Sequence, residues 1–154
     1  MKKYKKWIAI LLPLLAAAAM AGIFYYRNAT GGERRLSMIY IPKVEDDSND
    51  FWSSLIQGVK MAAIEYNTDL EILAPENEND VKRQNFLLKE AIGKQPDAIL
   101  ISPSSFTESD SLLEEAREKG IRITYIDSYT EQNIQDITVA TDNVEAGQKL
   151  GEFA

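Results

Sequence analysis

Between Ser37 and Asp127 one unit recurs four times: a short apolar strand closing on a small or polar residue, followed after each of the first three by a loop and an amphipathic helix. The strands read as Ser37 to Pro42, Leu70 to Ala74, Asp97 to Ser102 and Arg122 to Asp127. Their near-continuous apolar character predicts burial on both faces of a sheet, as parallel strands require. Parallel neighbours need a crossover, and a helix after each strand supplies it. The pattern therefore specifies an α/β fold, a doubly wound parallel sheet. Ligands of such sheets bind beyond the carboxyl ends of the strands.

The helices follow from apolar spacing. Asn49 or Asp50 caps a first helix whose inward residues are Trp52, Leu55, Ile56, Val59 and Ala63. A second runs from about Asp80 to Gly93, with Asn79 or Asp80 as cap, Val81, Gln84, Leu87, Leu88, Ala91 and Ile92 inward, and Gly93 as C-cap. A third, Ser109 to Lys119, turns Leu112, Leu113 and Ala116 inward and ends at Gly120. A weaker fifth strand, Ile137 to Thr141, leads through Asp142 and Asn143 into a helix that begins at Val144 and is still running at Ala154.

Composition removes whole classes of chemistry. The 154 residues include no Cys and no His. Disulfides, thiolate nucleophiles, zinc clusters and a histidine base are therefore excluded, which leaves a binding role, without cofactor or resident metal, ahead of an enzymatic one. The formal net charge of −7 is unevenly divided. Up to Leu36 there are seven Lys and Arg against one Glu; beyond it, ten against twenty-three acids. The acidic globular part would repel nucleic acid. The run Glu45-Asp46-Asp47 is a weak cation candidate, more simply read as a solvated loop.

Lys2, Lys3, Lys5 and Lys6 precede an uncharged stretch from Trp7 to Tyr26. As a helix it would be about 30 Å long, enough to span a bilayer. The positive-inside rule leaves the lysines cytoplasmic and exports the chain beyond Arg27. Ala19-Met20-Ala21 also offers a small-x-small cleavage site. Residues 1–27 are thus expected to be a signal anchor or signal peptide, 28–36 a linker containing Gly31-Gly32, and 37–154 the globular part.

The globular part resembles the sugar-binding, ribose-binding-protein-like branch of the type I periplasmic binding proteins. The resemblance rests on the apolar first strand, its polar loop and the Asn49-Asp50-Phe51-Trp52 helix start with Gly58 beyond. Gln84, Pro96 to Pro103, Gly120-Ile121, Ile126-Asp127 and Thr141-Asp142-Asn143 then come in the family's order. It implies a flavodoxin-like strand order 2-1-3-4-5 and only the N-terminal lobe of a two-lobe receptor, the second lobe being absent. It also implies that Phe51 and Trp52 flank a sugar ring, that Asn49 bonds a hydroxyl, and that the carboxylate of Asp127 takes two more. Trp52 also lies on the inward stripe, where it would serve the core, and Asp127 is also a plain turn former. The family commonly has Arg after this acid; Ser128 departs from that and leaves the sugar open. Ser102 and its neighbours Ser104 and Ser105 would line the cleft floor, or make a turn. Asp142 and Asn143 would lie near the crossing between lobes.

The resemblance implies a receptor that delivers a monosaccharide or similar polar solute to an ABC permease, with a membrane-anchored sugar sensor working through a sensor kinase as the alternative. Lipoproteins of the family in single-membrane bacteria carry a lipidated Cys, which this chain lacks. A receiver-like phosphate switch does not fit, because strand three ends in Ser102-Pro103 and no Lys comes after strand five at the required point.

Overall fold

The computed structural model describes residues 18–23 and 34–153. Residues 18–23 are helical and exposed. Most of the stretch expected to span a membrane lies outside the described residues; among those described, no helix is long and apolar enough to cross one.

From Arg35 onward the chain forms one unit built on a five-stranded sheet. Its strands are β1 (Ser37–Ile41), β2 (Asp69–Ile72), β3 (Ala98–Ile101), β4 (Arg122–Ile126) and β5 (Ile137–Val139). All pairs are parallel and the order is β2-β1-β3-β4-β5, as expected. The helices are α1 (Asp50–Glu65), α2 (Val81–Lys94), α3 (Asp110–Glu118) and α4 (Asn143–Glu152). The chain moves from β1 outward to β2 and then jumps back across to β3. The loops after β1 and β3 consequently diverge, and this switch point is where such sheets open a crevice.

Alternation along the strands divides the sheet into two faces. Ile39, Ile41, Ile99, Ile101, Ile123 and Tyr125 meet Leu88, Ala91 and Ile92 of α2 and Leu113 and Ala116 of α3 in one continuous core. On the other face Tyr40 is fully buried, and α1 contributes Trp52, Ile56 and Ala63 to the interior. Uniform burial on both faces does not hold. β3 alternates between buried and partly exposed, and β2, at the sheet edge, alternates between partly exposed and exposed. β5 is exposed throughout. The cause is unequal cover: two helices shield the first face, whereas α4 buries none of its residues and leaves Val144 and Leu150 exposed.

The caps select among the alternatives left by sequence. Asn49 accepts from the N–H groups of Phe51 and Trp52, Asp80 from Arg83, and Asp142 from Glu145. Gly93 is not a C-cap. Helix α2 continues to Lys94, and Gln95 takes the left-handed conformation with φ of 50°. Gly120 ends the third helical segment with φ of +80°, a conformation that a Cβ would strain.

Candidate functional site

The polar residues singled out by sequence fall on the loops that leave the carboxyl ends of β1, β3, β4 and β5. The loop after β1 is ordered locally: Asp46 accepts from the N–H and hydroxyl of Ser48 at 2.9 and 2.6 Å, and those bonds hold its carboxyl below the usual range. No cluster able to hold a metal ion occurs among the described residues. Asn49 is committed through Oδ1 to the cap of α1, at 3.1 Å from the Phe51 nitrogen. The next two aromatics separate. Trp52 is 2% exposed and belongs to the interior, whereas Phe51 is 52% exposed and meets it edge to face, with centroids 4.9 Å apart.

Ser102 is withdrawn from the surface. It is fully buried, and its hydroxyl lies 3.2 Å from that of Tyr40. Burial, with that bond opposing it, raises the Tyr40 phenol to about 12, and the nearby Asp127 charge adds to the rise. Gln84 fixes this layer. From α2, its Nε2 donates to the carbonyls of Pro42 (3.1 Å) and Ser102 (2.9 Å), and its Oε1 accepts from the Ser104 N–H at 2.8 Å. One buried carboxamide thereby ties the exits of β1 and β3 together. Sequence placed Gln84 inward but did not assign it this task; an amide on an otherwise apolar stripe was the available signal.

Asp127 caps β4 in an unusual conformation. Its φ is 69°, left-handed, which Asp tolerates better than most residues. Its N–H donates to the Val139 carbonyl at 2.8 Å, so β5 holds the backbone in place. The carboxylate is 36% exposed and lies 3.9 Å from Lys43 Nζ. Lys43 lies just beyond β1, and its ammonium stands 5.9 Å from the Trp52 ring centroid. Sequence analysis did not single out this lysine; its place one residue beyond Pro42, at the strand's carboxyl exit, was the only sign.

Ser128 donates to the Pro103 carbonyl at 3.0 Å, joining the loops after β3 and β4. Those loops also meet through the Glu131 N–H on the Phe106 carbonyl, and the exposed rings of Phe106 and Tyr129 stand edge to face beside them. Asn143 begins α4 and is exposed. The structure thus gathers Phe51, Lys43, Asp127 and Ser128 at the carboxyl edge, with Asn49 in a cap, Trp52 and Ser102 beneath, and Asn143 on the outer strand's exit. Two hollows of about 350 and 520 Å³ lie at the opposite end, lined by residues such as Ser37, Glu71 and Lys94 in one and Arg35, Lys60 and Asn67 in the other.

A family model described as "Periplasmic binding protein domain" matches residues 40–154. The ribose import binding protein RbsB of Bacillus subtilis (strain 168) is 25% identical over 153 residues, which are 97% of this chain and 49% of that protein. The ABC transporter periplasmic-binding protein YphF of Escherichia coli (strain K12) is 24% identical, over 92% of this chain and 43% of its own length. The chain thus spans about half the length of the curated relatives it matches. Among solved structures, a sugar transporter from Clostridium phytofermentans is 48% identical with a TM-score of 0.72, covering 76% of this chain and 43% of that one. A carbohydrate transporter solute binding protein from Agrobacterium radiobacter, in complex with D-arabinose, is 25% identical with a TM-score of 0.69, over 79% and 40% of the two chains. The XylFII-LytSN complex contributes a chain 26% identical with a TM-score of 0.67, over 77% and 42%. With the family model matching about three quarters of the sequence and the parallel order reproduced, this chain belongs to the periplasmic binding protein domain family.

Proposed function

We propose that residues 37–154 form the N-terminal lobe of an extracytoplasmic solute-binding protein that recognises a monosaccharide for an ABC-type importer and performs no catalysis. The observation that carries this reading is Asp127: a partly exposed carboxylate at a strand's carboxyl end, held in left-handed backbone and making no hydrogen bond with the described residues. A carboxylate of that kind accepts hydroxyl protons. Phe51 supplies an exposed ring at the same edge, suited to the apolar face of a sugar. Ser128 and Asn143 extend the polar rim, while Asn49, Trp52 and Ser102 act from below by shaping it. The names of RbsB and of the sugar-transporter neighbours support a sugar as ligand.

The reading extends to the N-terminus. Residues 1–27 act as a signal anchor, or as a cleaved signal peptide, and 28–36 as the linker that carries the lobe outside the cytoplasm. A second reading, in which the lobe reports its ligand to a membrane sensor kinase, is supported by the neighbour found in the XylFII-LytSN complex.

Isothermal titration of the full-length receptor that this reading requires, with this lobe joined to a second one across a cleft, against D-ribose, D-arabinose and D-allose tests the sugar reading. Saturable binding near micromolar affinity is expected for at least one such sugar, and heat-silent titrations with all three would refute it. Reading the flanking genes for a permease or a kinase separates the two roles.

A further inference from the structure

The geometry points to Lys43 as a specificity-determining residue that, with Asp127, grips one hydroxyl of an uncharged sugar. This inference rests on the sugar-binding reading above. Lys43 is an odd residue for its place: its side chain is only 21% exposed, and its ammonium stands over the face of the buried Trp52. A sheltered ammonium is costly unless partnered. Its partner is Asp127, at 3.9 Å. That separation is an ion pair but not a hydrogen bond, since charged N–H···O bonds close to about 2.7–2.9 Å.

Among the described residues neither group makes a hydrogen bond with its charged end. The ammonium only donates and the carboxylate only accepts. A hydroxyl does both. Placed about 2.8 Å from each, its oxygen would see the two at an angle of roughly 90°, close to that required of an oxygen which accepts one bond and donates another. The gap therefore fits one hydroxyl oxygen that accepts from Lys43 and donates to Asp127.

The charge balance fixes the ligand class. Asp127 already neutralises Lys43, and the neighbouring loop carries Glu45, Asp46 and Asp47. A sugar acid would meet repulsion from these carboxylates, with Lys43 already paired to Asp127. A neutral polyol meets none. Trp52 contributes by holding the ammonium at this spot, which the flexible lysine stem would not do unaided.

The test uses the full-length protein, Lys43→Met and Lys43→Arg, titrated calorimetrically with D-ribose, D-arabinose, D-allose and D-galacturonate, and with the monodeoxy analogues of whichever sugar binds. Lys43→Met should lose about ten- to a hundred-fold in affinity while melting within a few degrees of wild type, and Lys43→Arg should recover part of the loss. One deoxy analogue should bind wild type far more weakly than its parent, and that penalty should shrink in Lys43→Met. Lys43→Met binding within twofold of wild type, or penalties unchanged at every position, would overturn the role of Lys43 and leave the sugar reading standing. Preference for D-galacturonate would overturn the neutral-ligand assignment. Failure of wild type to bind any of the neutral sugars would refute the underlying reading itself.

Discussion

Gln84 offers the sharpest test of how the edge is built. Replacing it with Leu keeps the volume and the apolar surroundings but removes two donors and one acceptor. The carbonyls of Pro42 and Ser102 lose their carboxamide bonds in the interior, and the Ser104 N–H loses its acceptor where water has partial access. Each buried group left unsatisfied costs about 1–3 kcal/mol. Counting the two carbonyls fully and the N–H hardly at all gives a loss of roughly 2–6 kcal/mol for Gln84→Leu. Gln84→Glu should be worse at neutral pH, because its carboxylate would face two carbonyl oxygens with nothing to donate. Protonation restores one donor, so the folded-state pKa of that carboxyl lies above its unfolded value. Its destabilisation should then ease as pH falls from about 7 toward 5. Urea unfolding followed by far-ultraviolet circular dichroism reads both effects. A Gln84→Leu variant within about 1 kcal/mol of wild type would show that the carboxamide is not what joins the two strand exits.

Other residues carry their own expected outcomes. Asp127→Asn retains a residue tolerant of left-handed backbone, so in the full-length protein it should weaken sugar binding by about ten- to a hundred-fold yet leave the melting temperature nearly unchanged. Trp52→Ala should cost about 3–5 kcal/mol in urea unfolding as an interior truncation, whereas Phe51→Ala should cost well under half of that and show its effect in binding titrations. Asp136 accepts from the Ile123 N–H and then from Arg122, which holds its carboxyl below the usual range. Its stabilisation is therefore present above about pH 4 and lost as pH falls through the lowered folded value, and Asp136→Asn should flatten that part of the melting-temperature profile. Amide hydrogen exchange should be fast along α4, which buries nothing, and slow along β3 at the centre of the sheet.

Near-continuous apolar strands and period-3.6 helices made much of the fold legible. Leu88, Ile92, Leu113 and Ala116 occupy the core that their spacing indicates, and strand order matched the family pattern. What sequence could not show was how much cover each face receives. An apolar strand reads the same whether its second face lies under a helix or open, and β5 proved open. Helix ends were less certain: Gly93 is the usual terminator, but the helix runs on to Lys94 and Gln95 adopts the left-handed turn. At the edge, adjacent letters parted company. Phe51 and Trp52 differ by one step of 100° around the helix, which separates exposed from buried. Lys43 and Asp127 are far apart in the chain, and only the sheet order, with β3 between their strands, brings them within 3.9 Å.

Nuclear magnetic resonance titration of the chain with D-ribose or D-arabinose, monitored in amide shifts, tests the central claim most directly. On the proposed reading the chain is one lobe and supplies one face of a cleft, so weak binding, with a Kd near the millimolar range or above and about −4 kcal/mol at most, is expected. The shifts should cluster on Lys43, Phe51, Asp127 and Ser128 at the carboxyl edge. Shifts confined to Ser37, Glu71 and Lys94 at the opposite end of the sheet, or none at high sugar concentration, would contradict the account.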